Sequence, residues 1–278
     1  MQYLRISLVG GRGAKLNLGR SKETIVFEGG LGSQLLPLLH ALKLHNEKVE
    51  FDVNCDYFYP DPKTSNMVQR PWRLDRYGLS IDRIAELGSK KGPRIFKRLN
   101  STGMTDWDFG RAYGRDLLTL NYAGVQSFLT EHLVNPDKPY SVIHLRRGDY
   151  LKVSSRVVSD DEVSDIAFKL RNILHDIVIV ISDSKINLRR NPKFKKLLMT
   201  SKSRFVFIEG LNYDECLLHD VMRNSSLLIC SNSTFSFSAA ILGGSELIAF
   251  APIDFFDPES MDLVNQRFRS AGNFFLLE

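Results

Sequence analysis

Residues 141–150, Ser-Val-Ile-His-Leu-Arg-Arg-Gly-Asp-Tyr, decide how the rest of the chain is read. They open as a short apolar strand. Where the strand runs out they place His144, Arg146, Arg147 and Asp149 in succession. Adjacent guanidiniums inside a buried strand are very costly unless paired. At a strand end facing an anion they make sense, because Arg forks onto phosphate with two parallel hydrogen bonds. Gly148 lets the loop turn sharply or lets a ligand approach. The plainer alternative is an ion pair between Arg147 and Asp149, with His144 a satisfied core histidine.

Outward from this stretch, the second half alternates strand and helix. Strands are expected at 142–145, 177–181, 205–208, 227–230 and 247–251, and helices at 160–174, 192–199, 213–223 and 237–242. The run Ile177-Val-Ile-Val-Ile181 is continuously β-branched, the sign of a parallel strand buried on both faces. The first half carries strands at 3–9, 24–27 and 49–53. A helix at about 33–44 has Pro37 in its first turn, further helices are expected at 81–87 and 92–99, and 117–133 is a more regular stretch. Residues 57–73 read as loop. Two prolines and no apolar period at 134–139 put a boundary near residue 137. That gives an N-terminal α/β domain, 1–137, and a Rossmann-like domain, 138–278.

The 278 residues are 43% hydrophobic and 25% charged with net charge +5, ordinary composition for a globular chain of one or two domains. A charge of that size suits an anionic ligand or a membrane surface and demands neither. Nucleic acid is not an expected partner. Cys55, Cys216 and Cys230 are too few and too widely spaced for a disulfide framework or a zinc site, which suggests a reducing compartment. No apolar run reaches the roughly 18–20 residues of a membrane span, and residues 1–9 do not read as a signal peptide. The expected location is cytoplasmic, with peripheral contact to the inner membrane as one option. Basic runs at 90–98 and 189–196 would serve that contact unless they are simply solvated helix faces.

Two further strand ends carry polar clusters. Asp183, after Ile181-Ser182, sits where open α/β sheets collect ligands; it either accepts from a nucleoside or is a loop residue beside a helix cap. Ser231, Asn232, Ser233, Thr234 and Phe235 follow the strand at 227–230. A helix cap needs one such residue, and the surplus of hydroxyls argues for a diphosphate. Near the start, Gly29, Gly30, Gly32 and Gln34 form a Gly-rich turn between strand and helix, either a tight turn or a place where backbone amides meet a ligand. No Asp-x-Asp at a strand end offers a divalent-cation site, and no metal is expected.

The three stretches 29–34, 144–150 and 231–236, in this order, resemble the signature of glycosyltransferase family 11, the α-1,2-fucosyltransferases. Those read Gly-Gly-Leu-Gly-Asn-Gln, His-x-Arg-Arg-Gly-Asp-Tyr and Ser-Asn-Ser-Ser/Thr-Phe-Ser. This chain departs at Ser33, at Pro37 and at Phe237-Ser238, where the family has an amide, aromatic or Met residues, and tryptophans. The resemblance implies a GT-B-like α/β fold, two Rossmann-like domains facing a cleft, with GDP-fucose as donor substrate and no other cofactor. It implies inverting, metal-independent transfer to a glycan or lipid-linked oligosaccharide, as in bacterial O-antigen or capsule synthesis. Arg146 would meet the donor diphosphate. His144 and Asp183 would meet the guanosine. Arg147, Ser231, Asn232, Ser233, Thr234 and Phe235 would complete the donor site, and Gly29, Gly30, Gly32 and Gln34 would line the acceptor side. Asp149 and Glu28 are the candidates for the base. The alternatives are another nucleotide sugar, or an inactive nucleotide-sugar-binding protein on the same scaffold.

Overall fold

The computed structural model describes residues 23–27, 29–55, 58–60, 67–69, 71–89, 118–147, 158–186, 188–252 and 274–277. The expected strand at 3–9 and helix at 92–99 lie outside them. In the N-terminal half, β1 (Glu23–Val26) leads through Gly29 and Gly30 into α1 (Leu31–Asn46), and β2 (Phe51–Asn54) pairs parallel with β1. Residues 57–73, expected as loop, contain a hairpin: β3 (Phe58–Pro60) and β4 (Met67–Gln69) pair antiparallel. Pro60 is tolerated because it ends its strand, where no ladder donor is required. Then come a 3-10 turn at Leu74–Tyr77, α2 (Ile81–Leu87) capped by Ser80, and α3 (Tyr122–Glu131) capped by Asn121.

From residue 141 the chain builds a six-stranded sheet. Its elements are β5 (Ser141–Leu145), α4 (Asp160–Lys169), β6 (Ile177–Ser182), α5 (Pro192–Thr200), β7 (Arg204–Glu209), α6 (Glu215–Arg223), β8 (Leu227–Ile229), α7 (Thr234–Leu242), β9 (Ile248–Pro252) and β10 (Phe274–Leu277). The spatial order is β10-β9-β8-β5-β6-β7, and every neighbouring pair is parallel. The order reverses between β5 and β8. That junction is the topological switch point, where doubly wound sheets bind ligands at their carboxyl ends. β10 follows the strand that the sequence reading takes as the last.

Side-chain alternation sorts the strands between two apolar layers. Val142, Ile179, Ile181 and Ile208 pack on the side of α1, α6 and α7; Ile143, Leu145, Val178 and Val180 pack against α4 and α5. Local signals place the helix starts. Ser159 and Glu162 form a reciprocal capping box ahead of α4, and Asn191 caps α5 with Pro192 at its first position.

Two expectations about α1 and α7 change. α1 begins at Leu31, so Pro37 lies inside it and leaves the Ser33 carbonyl without an intrahelical donor. α7 begins at Thr234 rather than Phe237, which turns part of the expected polar loop into a helix N-terminus. The α/β class with a parallel sheet is present. The described N-terminal residues show β1–β2 and a hairpin rather than a second many-stranded sheet. One apolar cluster joins Phe27, Leu35 and Leu39 of this half to Val142, Leu228 and Ile241 of the other.

Candidate functional site

His144, Arg146, Asp183 and Ser231 all stand at the carboxyl ends of β5, β6 and β8, around the switch point. His144 is on the face toward α7 and is almost wholly buried. Its Nδ1 lies 2.9 Å from Ser231 Oγ, which also accepts the backbone N–H of Arg146 at 3.2 Å. A buried hydroxyl must place its own proton, and Nδ1 is the acceptor it reaches. His144 is therefore the tautomer with the proton on Nε2. Burial first, then the neighbouring Arg146 and Arg147, push its pKa down to about 3.

Arg146 donates from Nη1 to Asp183 Oδ2 at 2.5 Å, and Asp183 Oδ1 accepts the backbone N–H of Arg147 at 2.7 Å. Both carboxylate oxygens thus hold the loop that carries Arg146. The guanidinium is partly exposed at the mouth of the sheet, while the Arg146 backbone N–H ties its loop to Ser231. Arg147 is turned the other way. It is buried and donates to the carbonyls of Arg146 and Val158 and to Asp160 at 2.6 Å, tying the loop to the first turn of α4. Adjacent arginines with the same chemistry in sequence have one mounting role and one site-facing role.

The polar cluster after β8 is divided in the same way. Ser233 caps α7 by accepting from Phe235 N–H at 3.3 Å, and Ser236 Oγ reaches the carbonyls of Ser231 and Ser233. Asn232 is half-buried between them. Thr234 Oγ1 lies 3.0 Å from Ser33 Oγ in the first turn of α1. At this point the N-termini of α1 and α7 meet. A Cβ on Gly32 would lie 2.4 Å from the Thr234 backbone, so only glycine permits the approach. Gly29 adopts φ +74°, the left-handed conformation that starts the turn into α1. Gly30 is the N-cap residue of α1 and has open space at its Cβ position. Two helix N-termini bring their positive dipole ends side by side, an arrangement that favours an anion beside them. Replacing Gly32 with alanine would force backbone apart rather than a flexible side chain. The expected outcome is about 1–3 kcal/mol of destabilisation, read by thermal melting.

Gln34, expected to line the acceptor side, is a buried bolt. Its amide donates to the carbonyls of Gly29 and Pro71, and its carbonyl accepts Arg73 N–H. Glu28 and Asp149 lie outside the described residues. Among those residues, no three His, Cys, Asp or Glu side chains gather as metal ligands would.

One residue at the site, His219, reads from the sequence only as a structural or surface histidine with no partner at a catalytic spacing. His219, on α6, is fully buried against Phe235, with ring centroids 5.4 Å apart; His144 approaches the same ring at 5.6 Å. Ser238 Oγ donates to the Phe235 carbonyl, so it accepts from His219 Nε2–H at 2.9 Å. The Nδ1 lone pair is left buried and unpartnered. The available signal is its spacing: His219 shares a helix face with Cys216 and Met222. Burial, with Arg223 and His144 adding to it, holds its pKa well below the usual value.

Both imidazoles are thus neutral when folded and titrate near 6.5 when unfolded. Below pH 6.5 the unfolded chain binds protons that the folded chain does not, so stability falls as the pH falls. The slope is up to about 1.4 kcal/mol per pH unit per group. His219→Gln keeps a donor for Ser238 and removes the titration. Melts at pH 7.5, 6 and 5 are expected to show a shallower loss for that variant than for the natural chain.

A family model described as glycosyl transferase family 11 matches residues 124–271. No curated protein matches. Among solved structures, the crystal structure of POFUT1 in complex with GDP-fucose superposes with a TM-score of 0.47 at 13% identity, covering 79% of this chain and 94% of that one. A POFUT1 complex with GDP gives 0.46 and 14%, with 80% and 94% covered.

Proposed function

This chain belongs to glycosyltransferase family 11, the fucosyltransferase family, and from that premise we propose that it transfers L-fucose from GDP-fucose to a glycan hydroxyl. The observation that carries the donor assignment is the meeting of two helix N-termini at the switch point, beside the loop that carries Arg146 and is bonded through its backbone N–H to Ser231. A nucleoside diphosphate leaves with growing negative charge on its distal phosphate. Preorganised donors aimed at that charge lower the barrier, because they need no reorganisation as the bond breaks. Arg146 supplies a fixed positive charge, and the amides of α1 and α7 supply dipoles. Asp183 holds the guanidinium in place while that charge is absent. His144 offers a neutral Nε2–H to the nucleoside side of the site. In this reading transfer proceeds without a metal, inverts at the sugar and forms an α-1,2 linkage. A carboxylate, Asp149 or Glu28, takes the proton of the acceptor hydroxyl. The division near residue 137 separates acceptor side from donor side.

The setting that we propose is bacterial surface-polysaccharide synthesis, with an oligosaccharide acceptor. Among the described residues no helix is long and apolar enough to cross a membrane. The test is a melting screen against GDP, UDP and ADP, since a ligand that binds only the folded state stabilises it by about 2.7 kcal/mol at 100 times its Kd. GDP is expected to raise the melting point most. A preference for UDP would overturn the fucose assignment, and donor turnover with transfer to an added glycan separates an enzyme from a binding protein.

A further inference from the structure

Residues 185–204 carry eight basic side chains and no acidic one, and all eight are exposed. The whole chain nets +5, so the rest of the protein is net acidic. Charge this concentrated makes a stripe. It starts two residues after Asp183 with Lys185, passes Arg190, runs along α5 with Lys195 and Lys196, and ends at Lys202 and Arg204. Lys193 is neutralised by Asp165 at 2.6 Å and Asp161 at 3.8 Å on α4, and Arg189 and Lys196 lie over the rings of Phe207 and Phe168, so the charge outside ion pairs lies on either side of Lys193.

Apolar side chains stand at the far end of this stripe. Met199 is 85% exposed and Leu133 82%, the two most exposed large hydrophobic residues among those described. They flank the edge strand β7 at its start from the two layers of the sheet, α5 packing in one and the end of α3 in the other. Met199 is in the last turn of α5, five residues before Arg204, and Arg204 Nη2 donates to the Leu133 carbonyl at 2.5 Å. Leu133 also holds a strained backbone, φ 57°. It occupies the left-handed position just past α3, where Val134 N–H returns to the Leu129 carbonyl and Leu133 N–H to that of Thr130. Helices that end this way usually place glycine there. A leucine in this conformation gains nothing from burial, because it has none.

We infer that this face docks on an anionic phospholipid bilayer, with Lys195, Lys196, Lys202 and Arg204 on the headgroups and Leu133 and Met199 inserted among them. The basic side chains alone would suit any polyanion. The two solvent-facing apolar side chains at the end of the stripe favour a surface with an apolar interior. Because the stripe begins beside Asp183, docking would bring the rim of the switch-point site close to the membrane plane.

The test is sedimentation of the full chain with phosphatidylcholine vesicles, with and without one quarter phosphatidylglycerol. Binding is expected to need phosphatidylglycerol and to fall in 0.5 M salt. Each basic residue near such a surface contributes roughly a fivefold factor in partitioning, so the Lys195→Gln/Lys196→Gln pair lowers it about 25-fold. Leu133→Gly relieves the backbone and is expected to raise the melting point by about 2 °C while lowering vesicle partitioning roughly tenfold. That opposite movement separates docking from a mere fold defect. Met199→Ser lowers partitioning without altering the circular dichroism spectrum. The inference is overturned if phosphatidylglycerol vesicles do not bind. It is equally overturned if binding survives the lysine pair, or if Leu133→Gly and Met199→Ser leave it unchanged. Capture on heparin with no effect of the apolar variants would point to a soluble polyanion instead.

Discussion

Arg146→Ala is expected to lower turnover by about 10²- to 10³-fold, with the fold intact. The magnitude follows from removing one preorganised donor from a developing anion, about 3–4 kcal/mol. The fold survives because the buried member of the pair is Arg147, whose bonds to Val158 and Asp160 are independent of the Arg146 guanidinium. Arg146→Lys keeps the charge but loses the fork, and should recover only part of the rate. Single-turnover kinetics with GDP-fucose and an acceptor, beside a melting curve, provide the check. A variant that turns over normally would mean that the diphosphate charge is met elsewhere. Asp183→Asn is the companion: it leaves the guanidinium unheld, so the expected loss is in kcat without loss of the positive charge itself.

Asp220→Ala is expected to destabilise the fold by about 3–5 kcal/mol, the cost of leaving a buried charge uncompensated. Asp220 and Arg223 are both almost fully buried on α6 and lie 3.0 Å apart. Arg223 also donates to the carbonyls of Leu118 and Leu242, and Asp220 accepts Asn121 N–H. This pair therefore ties the entry to α3 and the end of α7 to α6. Burial raises the Asp220 pKa even though Arg223 and Asn121 pull it down, so the attraction does not fully offset desolvation. The double variant Asp220→Leu/Arg223→Met should recover much of the loss, because both charges go together. Urea denaturation of the single and double variants measures the difference.

Much of the donor-side fold is legible because its signals are local. Ile177 to Ile181 can hardly be anything but a buried strand, and Ser159, Asn191 and Asp214 announce the helices that follow them. The site is legible only as a set of strand ends. Sequence cannot say which arginine of the pair at 146–147 faces outward, since that depends on Val158 and Asp160 coming back to meet Arg147. Nor can it say that Gln34 is bound by Pro71 and Arg73, more than thirty residues away. β10 hides for a related reason: four apolar residues near the C-terminus become a strand because β9 offers them an edge. His219 looks like one histidine among six until the packing of α6 on α7 puts it under Phe235.

The contact between Gly32 and the Thr234 backbone also constrains how the enzyme can move. Swinging the two halves apart would have to peel α1 from α7 at their first turns and open the apolar cluster that joins Phe27, Leu35 and Leu39 to Val142, Leu228 and Ile241. Burying each contributes about 2 kcal/mol, so the opened form would be too rare to serve as a route for substrate. Admission and release of ligands then fall to local rearrangement at the rim, while the junction of the two first turns keeps its shape.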